Sequence, residues 1–341
     1  GIIRSFSERC PKADILVLSG NPEHTTELHG VKAVNRMAMG ELIAALKESE
    51  LLVSGGGSLL QNVTSSRSLG YYLSVIWLAK RMKKKVMVYA QGIGPITGLT
   101  ARTVTAKILN LVDYITVRDF ESKSYLEALG VNRPEIRVTA DPSFAIQPVS
   151  LDEAVEILKA SGVKTEMPLI GISMRPWKDQ LQWLPSIATG LEVAAKKIGA
   201  ALVFLPMQLD QDRGLSVQLA SQMNIPAAVV AAKLSPSQML AVVGQMSLVV
   251  GMRLHALMFA ASMGVLMMGM AYDPKVESFL HVMKQKDILS IDDLTATDLE
   301  GRILDVWEHR DIMVKEAVVE VEKLRTAALE NADLACSLIG L

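Results

Sequence analysis

The chain has 341 residues, of which 50% are hydrophobic and only 5% aromatic, and its formal net charge is −1. That length exceeds what one core usually serves, so two domains are expected, and a composition rich in Ala, Val, Leu, Ile and Met suits a parallel sheet covered by helices. The balanced net charge gives no reason to expect nucleic acid, which wants a basic face.

The opening IIRSFSERCP reads as part of a helix ending at a proline, without the pattern of a secretory leader, and it looks as though a strand and a turn once preceded it. Short β-rich runs then alternate with helical stretches. ADILVLS (13–19), LLVSGGG (51–57), VMVYAQG (86–92), YITVRD (114–119) and IRVTADP (136–142) read as strands. ELIAALKESE (41–50) and YYLSVIWLAKRMKKK (71–85) read as helices, the second closing on a lysine run that suits the negative end of a helix dipole. DPSFAIQPVS (141–150) breaks the rhythm with two prolines and is read as a linker. The strands resume with LIGISM (169–174), ALVFLP (201–206), AAVVA (227–231), SLVVG (247–251) and VLMMGM (265–270). Ser235-Pro236 is an N-cap and first-turn pair, and 298–339 looks helical throughout.

Alternation of this kind means βαβ units with right-handed crossovers. The expected fold is α/β, with two Rossmann-like domains facing across a cleft. An N-terminal domain would span 1–147 and a C-terminal one 148–341, its last helix packing back on the first domain. The apolar run Leu257–Tyr272 is too short to cross a bilayer and is divided by Gly264 and Gly269. Cys10 and Cys336 read as separate thiols of a cytosolic protein, and the five histidines form no ligand cluster, so neither metal nor cofactor is expected.

In such sheets ligands bind beyond the carboxyl ends of the strands, which directs attention to the residues just after each one. Gly55, Gly56, Gly57 and Ser58 follow the second strand and read as a glycine-rich turn opening a helix, a place for an anion or an acceptor. The spacing is neither a dinucleotide fingerprint nor a Walker loop. Gln91 ends the next strand beside a second glycine-rich turn, and Asp141 stands where the linker begins, as a turn residue or a base. Arg175 follows LIGISM and suits a phosphate or carboxylate clamp, or a salt bridge. Asp210 and Asp212 form a D-x-D that reads as a metal pair or as a helix cap. Asp273, before Pro274, reads as a helix cap. Arg253 and His255 interrupt the apolar run VVGMRLHALMFA just past SLVVG. Burying either group unpartnered costs several kcal/mol, roughly, so each meets a partner inside the protein or faces a ligand. The collection, two arginines, a histidine and no nucleophilic Ser or Cys motif, suits proton transfer on a small polyanion.

SGGGSLLQNVTSSRS, YAQGIGPI, ITVRD, TADPSF, ISMRPW, VGMRLHALMFA and YDPKVESFL, in this order from about Ser7 to Phe279, resemble the polysaccharide pyruvyltransferase family, and most nearly its CsaB type. The resemblance implies a GT-B-like fold and transfer of a pyruvyl group from phosphoenolpyruvate to a sugar as a cyclic ketal, with release of phosphate. The acceptor it implies is β-linked N-acetylmannosamine, ketalised at O4 and O6, on a lipid-linked precursor of the cell-wall polysaccharide that anchors S-layers. It also implies that Arg253, Leu254 and His255 line the donor site with Arg175 as a second anion contact. For that chemistry His255 is expected to protonate C3 of the donor or the departing phosphate, or else only to bind the phosphate, the arginines to stabilise charge as it moves, and Asp141 to be a candidate base. Two departures stand out. The G-Y-Y-G-x-x-N-x-G-D-E turn with which relatives open is missing, and the usual Asp after S-L-L-Q is Asn62, an amide that cannot act as a base. Open alternatives are a glycosyltransferase using a nucleotide sugar and a non-catalytic glycan-binding protein. A cytoplasmic protein is expected, and the basic stretch Lys80 to Lys85 permits peripheral contact with an anionic membrane.

Overall fold

The computed structural model describes residues 1–63, 65–178, 180–286, 288–292 and 294–341, with no side-chain description at 180–182. The chain divides into two compact units, one of Gly1–Ala145 with Leu324–Leu341, the other of Ile146–Lys323. No described helix is long and apolar enough to cross a membrane.

The first unit runs α1 (Ile2–Arg9), β1 (Leu16–Ser19), α2 (Pro22–His29), β2 (Lys32–Asn35), α3 (Met39–Glu48), β3 (Leu51–Gly55), α4 (Ser66–Arg81), β4 (Lys85–Gln91), α5 (Leu99–Leu109), β5 (Tyr114–Val117), α6 (Phe120–Ala128) and β6 (Glu135–Val138). Strands β3-β4-β5-β6 form a parallel sheet in sequence order, and β1 and β2 form a separate parallel pair. Alternation along β4 builds both faces of that sheet. Val86 and Val88 join the core made by α3, α4, α5 and α6. Met87 and Tyr89 point the other way, into a cluster with Phe6 of α1 and Ala332, Ala335 and Cys336 near the carboxyl terminus. The lysine run falls just past the end of α4, where Lys83 takes a left-handed φ of 58°.

The second unit runs α7 (Leu151–Ala160), β7 (Leu169–Ser173), α8 (Gln180–Ile198), β8 (Ala201–Phe204), α9 (Leu209–Ser221), β9 (Ala227–Val229), α10 (Pro236–Val243), β10 (Leu248–Gly251), α11 (Leu254–Ser262), β11 (Leu266–Ala271), α12 (Pro274–Val282), β12 (Leu289–Ser290), α13 (Ala296–Glu308) and α14 (Arg310–Ser337). Its sheet has the order β12-β11-β10-β7-β8-β9, parallel throughout. β7, β8 and β10 are buried along their whole length, as near-continuous apolar strands require. Ser235 caps α10 in a full capping box with Gln238. The helical stretch expected at 298–339 is two helices, α13 and α14, separated at His309.

The last turns of α14 belong to the first unit. Asn331, fully buried there, accepts from Thr139 Oγ1 at 2.8 Å and donates to the carbonyl of Ala328 at 3.0 Å. Cys10 and Cys336, expected as separate thiols, are joined as a disulfide between the end of α1 and the end of α14. They lie 326 residues apart in sequence, and only the packing of α14 against β4 brings them together.

Candidate active site

In the second unit the chain builds β7, β8 and β9 outward in one direction. It then returns to place β10 on the other flank of β7. That reversal lies between β7 and β10, the position where open α/β sheets bind ligands beyond their strand ends. The two strands are in register, Ser173 opposite Gly251, so Arg175 and Arg253 each stand two residues past a paired strand end. The strands approach closely there. A Cβ on Gly251 would lie 2.9 Å from the carbonyl oxygen of Ser173, which makes glycine the residue that fits.

Arg253 is the N-cap residue of α11, in an extended conformation that sends its side chain back toward α9. Its Nε donates to Asp212 Oδ2 at 3.1 Å, and its Nη2 donates to Asp212 Oδ1 and, at 3.2 Å, to Gln211 Oε1. Asp212 is fully buried and also accepts the backbone N–H of Gln208 at 2.9 Å. The D-x-D therefore serves as an internal anchor: Asp212 fixes Arg253 and the start of α9, while Asp210 is exposed. Among the described residues no group of three or more His, Cys, Asp or Glu side chains gathers as a metal site. Leu254 and His255 form the first turn of α11, with Leu254 half-buried and His255 exposed. No side chain caps this helix, so its first backbone N–H groups add positive potential around His255.

Arg175 lies in an aromatic frame. Its Nη1 donates to the hydroxyl of Tyr272 at 2.9 Å, and its guanidinium stands 5.0 Å from the Tyr272 ring centroid and 5.7 Å from that of Trp177. The two rings meet edge to face at 4.8 Å. Each ring offers its negative π-face to the cation. Nε of Arg175 is buried and donates to nothing among the described residues, as is Nε1 of Trp177. An unmet buried donor costs about 1–3 kcal/mol, more when charged. Asp273 caps α12 by accepting from the N–H of Lys275 at 2.8 Å, as its position before Pro274 suggested.

In the first unit the glycine turn differs from expectation. Gly55, Gly56 and Gly57 do not open a helix, since α4 begins at Ser66 with Ser65 as its cap. Gly56 and Gly57 take left-handed φ values of 72° and 64° and turn the chain away from β3 into a loop. A Cβ on Gly55 would meet Cδ1 of Ile2 at 2.6 Å, so Gly55 makes room for an apolar side chain. Ser58 is half-buried in the loop that follows. Gln91 is fully buried, turned inward by a bulge at the end of β4 where Ala90 has φ 47°. Its Nε2 donates to the carbonyl and hydroxyl oxygens of Ser54, at 2.8 and 3.1 Å, and ties β4 to β3.

Asp141 is buried and accepts from Arg118 Nη1 at 2.7 Å and from the N–H of Ser143 at 3.0 Å. Arg118 itself fills the space above Gly92, where a Cβ would come within 2.8 Å of its Nε. Asn62 uses both halves of its amide: Nδ2 donates to the carbonyl of Thr97 at 2.8 Å and Oδ1 accepts its N–H at 2.8 Å. That reciprocal pair needs a donor and an acceptor on one side chain, which an ionised Asp lacks.

The structure thus brings Arg175, Arg253, Leu254 and His255 to one sheet edge of the second unit. Gly55 to Ser58, Gln91 and Asp141 belong to the first unit. Sequence reasoning missed Arg118, Trp177 and Tyr272. Arg118 and Tyr272 directly follow a strand end and Trp177 stands four residues past one, so the rule that found Arg175 applies to them as well.

Solved structures with the same fold include a putative UDP-N-acetylglucosamine 2-epimerase from Listeria monocytogenes, at TM-score 0.63 and 12% identity, covering 93% of this chain and 85% of that one. UDP-GlcNAc 2-epimerase from Neisseria meningitidis bound to UDP-GlcNAc matches at TM-score 0.63 and 11% identity, covering 99% and 95%. The wall teichoic acid polymerase TagF matches at TM-score 0.58 and 12% identity, covering 99% and 84%. The chain is therefore an α/β protein of the GT-B-like class, with two Rossmann-like units. No curated protein sequence matches it. Residues 1–274 match the family described as polysaccharide pyruvyl transferase, and the chain belongs to that family of enzymes.

Proposed function

We propose that this pyruvyltransferase takes its pyruvyl group from phosphoenolpyruvate and ketalises an amino sugar, β-N-acetylmannosamine at O4 and O6, on a lipid-linked cell-wall precursor at the cytoplasmic side of the membrane. The observation that carries the donor reading is the buried Nε of Arg175, unmet among the described residues, at the position that matches Arg253 past the paired ends of β7 and β10, at the switch point of the second sheet. Phosphoenolpyruvate has a phosphate and a carboxylate, and two guanidiniums on adjacent strands suit two anionic groups.

In this reading His255, as imidazolium, gives a proton to C3 of the donor, and C2 becomes electrophilic. One sugar hydroxyl adds to C2, the C2–O bond to phosphate breaks, and the second hydroxyl closes the ketal. Of the two hydroxyl protons lost, one replaces that given by His255 and the other leaves on the phosphate. Arg175 and Arg253 stabilise the charge that moves to the departing phosphate. Asp141 stands as the base candidate, although both its oxygens already accept hydrogen bonds. The rival nucleotide-sugar reading needs a carboxylate for ribose hydroxyls near these strand ends, where Asp212 is engaged by Arg253 and Asp210 is exposed.

The test is phosphate release from phosphoenolpyruvate in the presence of an N-acetylmannosaminyl lipid. Acceptor-dependent release that collapses in Arg253→Ala and His255→Ala supports the proposal. A folded protein that releases no phosphate, but consumes a nucleotide sugar, would overturn it.

A further inference from the structure

Between residues 51 and 112 the chain has eight Lys and Arg and not one Asp or Glu, although the whole chain is balanced at −1. The segment is β3-α4-β4-α5, and it ends at Asp113. Successive parallel strands β3, β4 and β5 with right-handed crossovers place α4 and α5 on one face of the sheet, where they share a core with Val86 and Val88. Their outward stripes are therefore neighbours. On α4 the exposed positions 67, 70, 74, 77 and 81 recur at helical spacing and include Arg67, Trp77 and Arg81. On α5 the exposed stripe includes Val104 and Lys107, with Leu99 at one end and Leu111 just beyond the other.

The apolar members are large and open: Leu99 is 82% exposed, Trp77 48%, Leu111 43% and Val104 42%. Arg81 lies over the Trp77 ring at 5.8 Å, covering an aromatic side chain with a cation rather than with apolar neighbours. Internal acids neutralise little of this charge. Asp113 takes Lys80 at 2.6 Å and reaches Lys85 at 3.4 Å, while Lys84 donates to a backbone carbonyl and pairs with no carboxylate among the described residues. Glu121 and Glu127 on α6 bound the patch on one side.

We infer that the α4–α5 face is a docking surface for an anionic lipid bilayer. Aromatic and aliphatic side chains set among cations match the interfacial region of such a membrane, where apolar groups enter at headgroup depth and Lys or Arg meet phosphates. A nucleic acid or other soluble polyanion would use the cations and leave Leu99, Val104 and Leu111 without a role. A second copy of the chain would set like charges against each other. The inference rests on this face alone and not on the donor chemistry.

The experiment is co-sedimentation of the full chain with vesicles of phosphatidylcholine alone or mixed with phosphatidylglycerol, with no donor or acceptor present. The expected result is pelleting with the mixed vesicles only, reversed by salt. Arg67→Glu, Arg81→Glu and Lys107→Glu should each weaken it about fivefold or more, the scale of one surface cation. Trp77→Ser should weaken it too, with circular dichroism unchanged in every variant. No pelleting with mixed vesicles, equal pelleting with neutral ones, or wild-type pelleting by all four variants would overturn the proposal. So would a soluble polyanion such as heparin binding as tightly and with the same dependence on Trp77.

Discussion

Arg253 and Asp212 form a two-point ion pair, with Nε and Nη2 on separate oxygens of a carboxylate that is fully buried. The arginine that the sequence marks as a ligand group is thus aimed by a residue forty-one positions earlier. Removing one partner leaves the other charge uncompensated, which costs about 3–5 kcal/mol for a buried pair. Asp212→Ala should lose stability on that scale in urea denaturation and lose transfer activity with it. Replacing both residues by apolar ones should recover stability and leave activity absent. Equal stability of Asp212→Ala and wild type would show that the pair is not formed.

Asp141 and Arg118 make a second buried pair, with side chains 7% and 8% exposed. Asp141→Asn keeps an acceptor oxygen and the shape but removes the charge, and Asp141→Ala removes all three. The expected order of stability is wild type, then Asn, then Ala, with the last lower by about 3 kcal/mol or more. A general base with no structural duty would instead show a fall in kcat at unchanged stability. Thermal unfolding and kinetics on the same samples separate the two outcomes.

Asp113 joins the ends of three elements, accepting from Lys80 Nζ at 2.6 Å and from the N–H of Val86 at 2.8 Å. Burial pushes its carboxyl upward, but Lys80, the Val86 N–H and Lys85 outweigh that and hold it below its ordinary value of 3.8. A depressed native value means stability that is present above about pH 4 and lost as pH falls through the native value. Asp113→Asn should therefore be less stable than wild type at neutral pH, and the difference should shrink as the pH is lowered below 4, roughly. A stability gap that stayed constant down to acid pH would contradict this assignment.

Tyr272 touches Arg175 by hydrogen bond and by ring face. Tyr272→Phe keeps the ring and removes the hydroxyl, so Arg175 loses a fixed orientation but not its aromatic frame. The expected effect is a raised KM for the donor, by about tenfold, with kcat changed less, as loss of one hydrogen bond to a charged group implies. An unaltered KM would place Arg175 outside the donor site.

Most strands of the four- and six-stranded sheets were legible in the sequence because parallel strands buried on both sides read as short apolar runs, whereas the two-residue β12 was not. LIGISM, ALVFLP and SLVVG match β7, β8 and β10 to within two residues. β2, with the sequence KAVN, escaped because it is short, mixed in character and paired only with β1. Arg175, Arg253 and His255 were found by their place after strands, a local property. Their partners were not, because Asp212 and Tyr272 are joined to them by the sheet order and not by spacing. The glycine turn opens no helix, contrary to expectation, and the crowding at Gly55 was hidden for a similar reason: it comes from Ile2, a contact between segments more than fifty residues apart. Cys10 and Cys336 are the extreme case, brought together only when α14 returns to the first unit.

By this proposal the β7–β10 edge of the second unit holds a small phosphate-and-carboxylate donor. The most direct measurement is calorimetric titration of the folded chain with phosphoenolpyruvate, and separately with UDP-N-acetylglucosamine, for wild type and Arg175→Ala. Saturable binding of phosphoenolpyruvate, weakened about tenfold or more by Arg175→Ala and undisturbed by the nucleotide sugar, is the expected result. Binding of the nucleotide sugar by a chain that ignores phosphoenolpyruvate would contradict it.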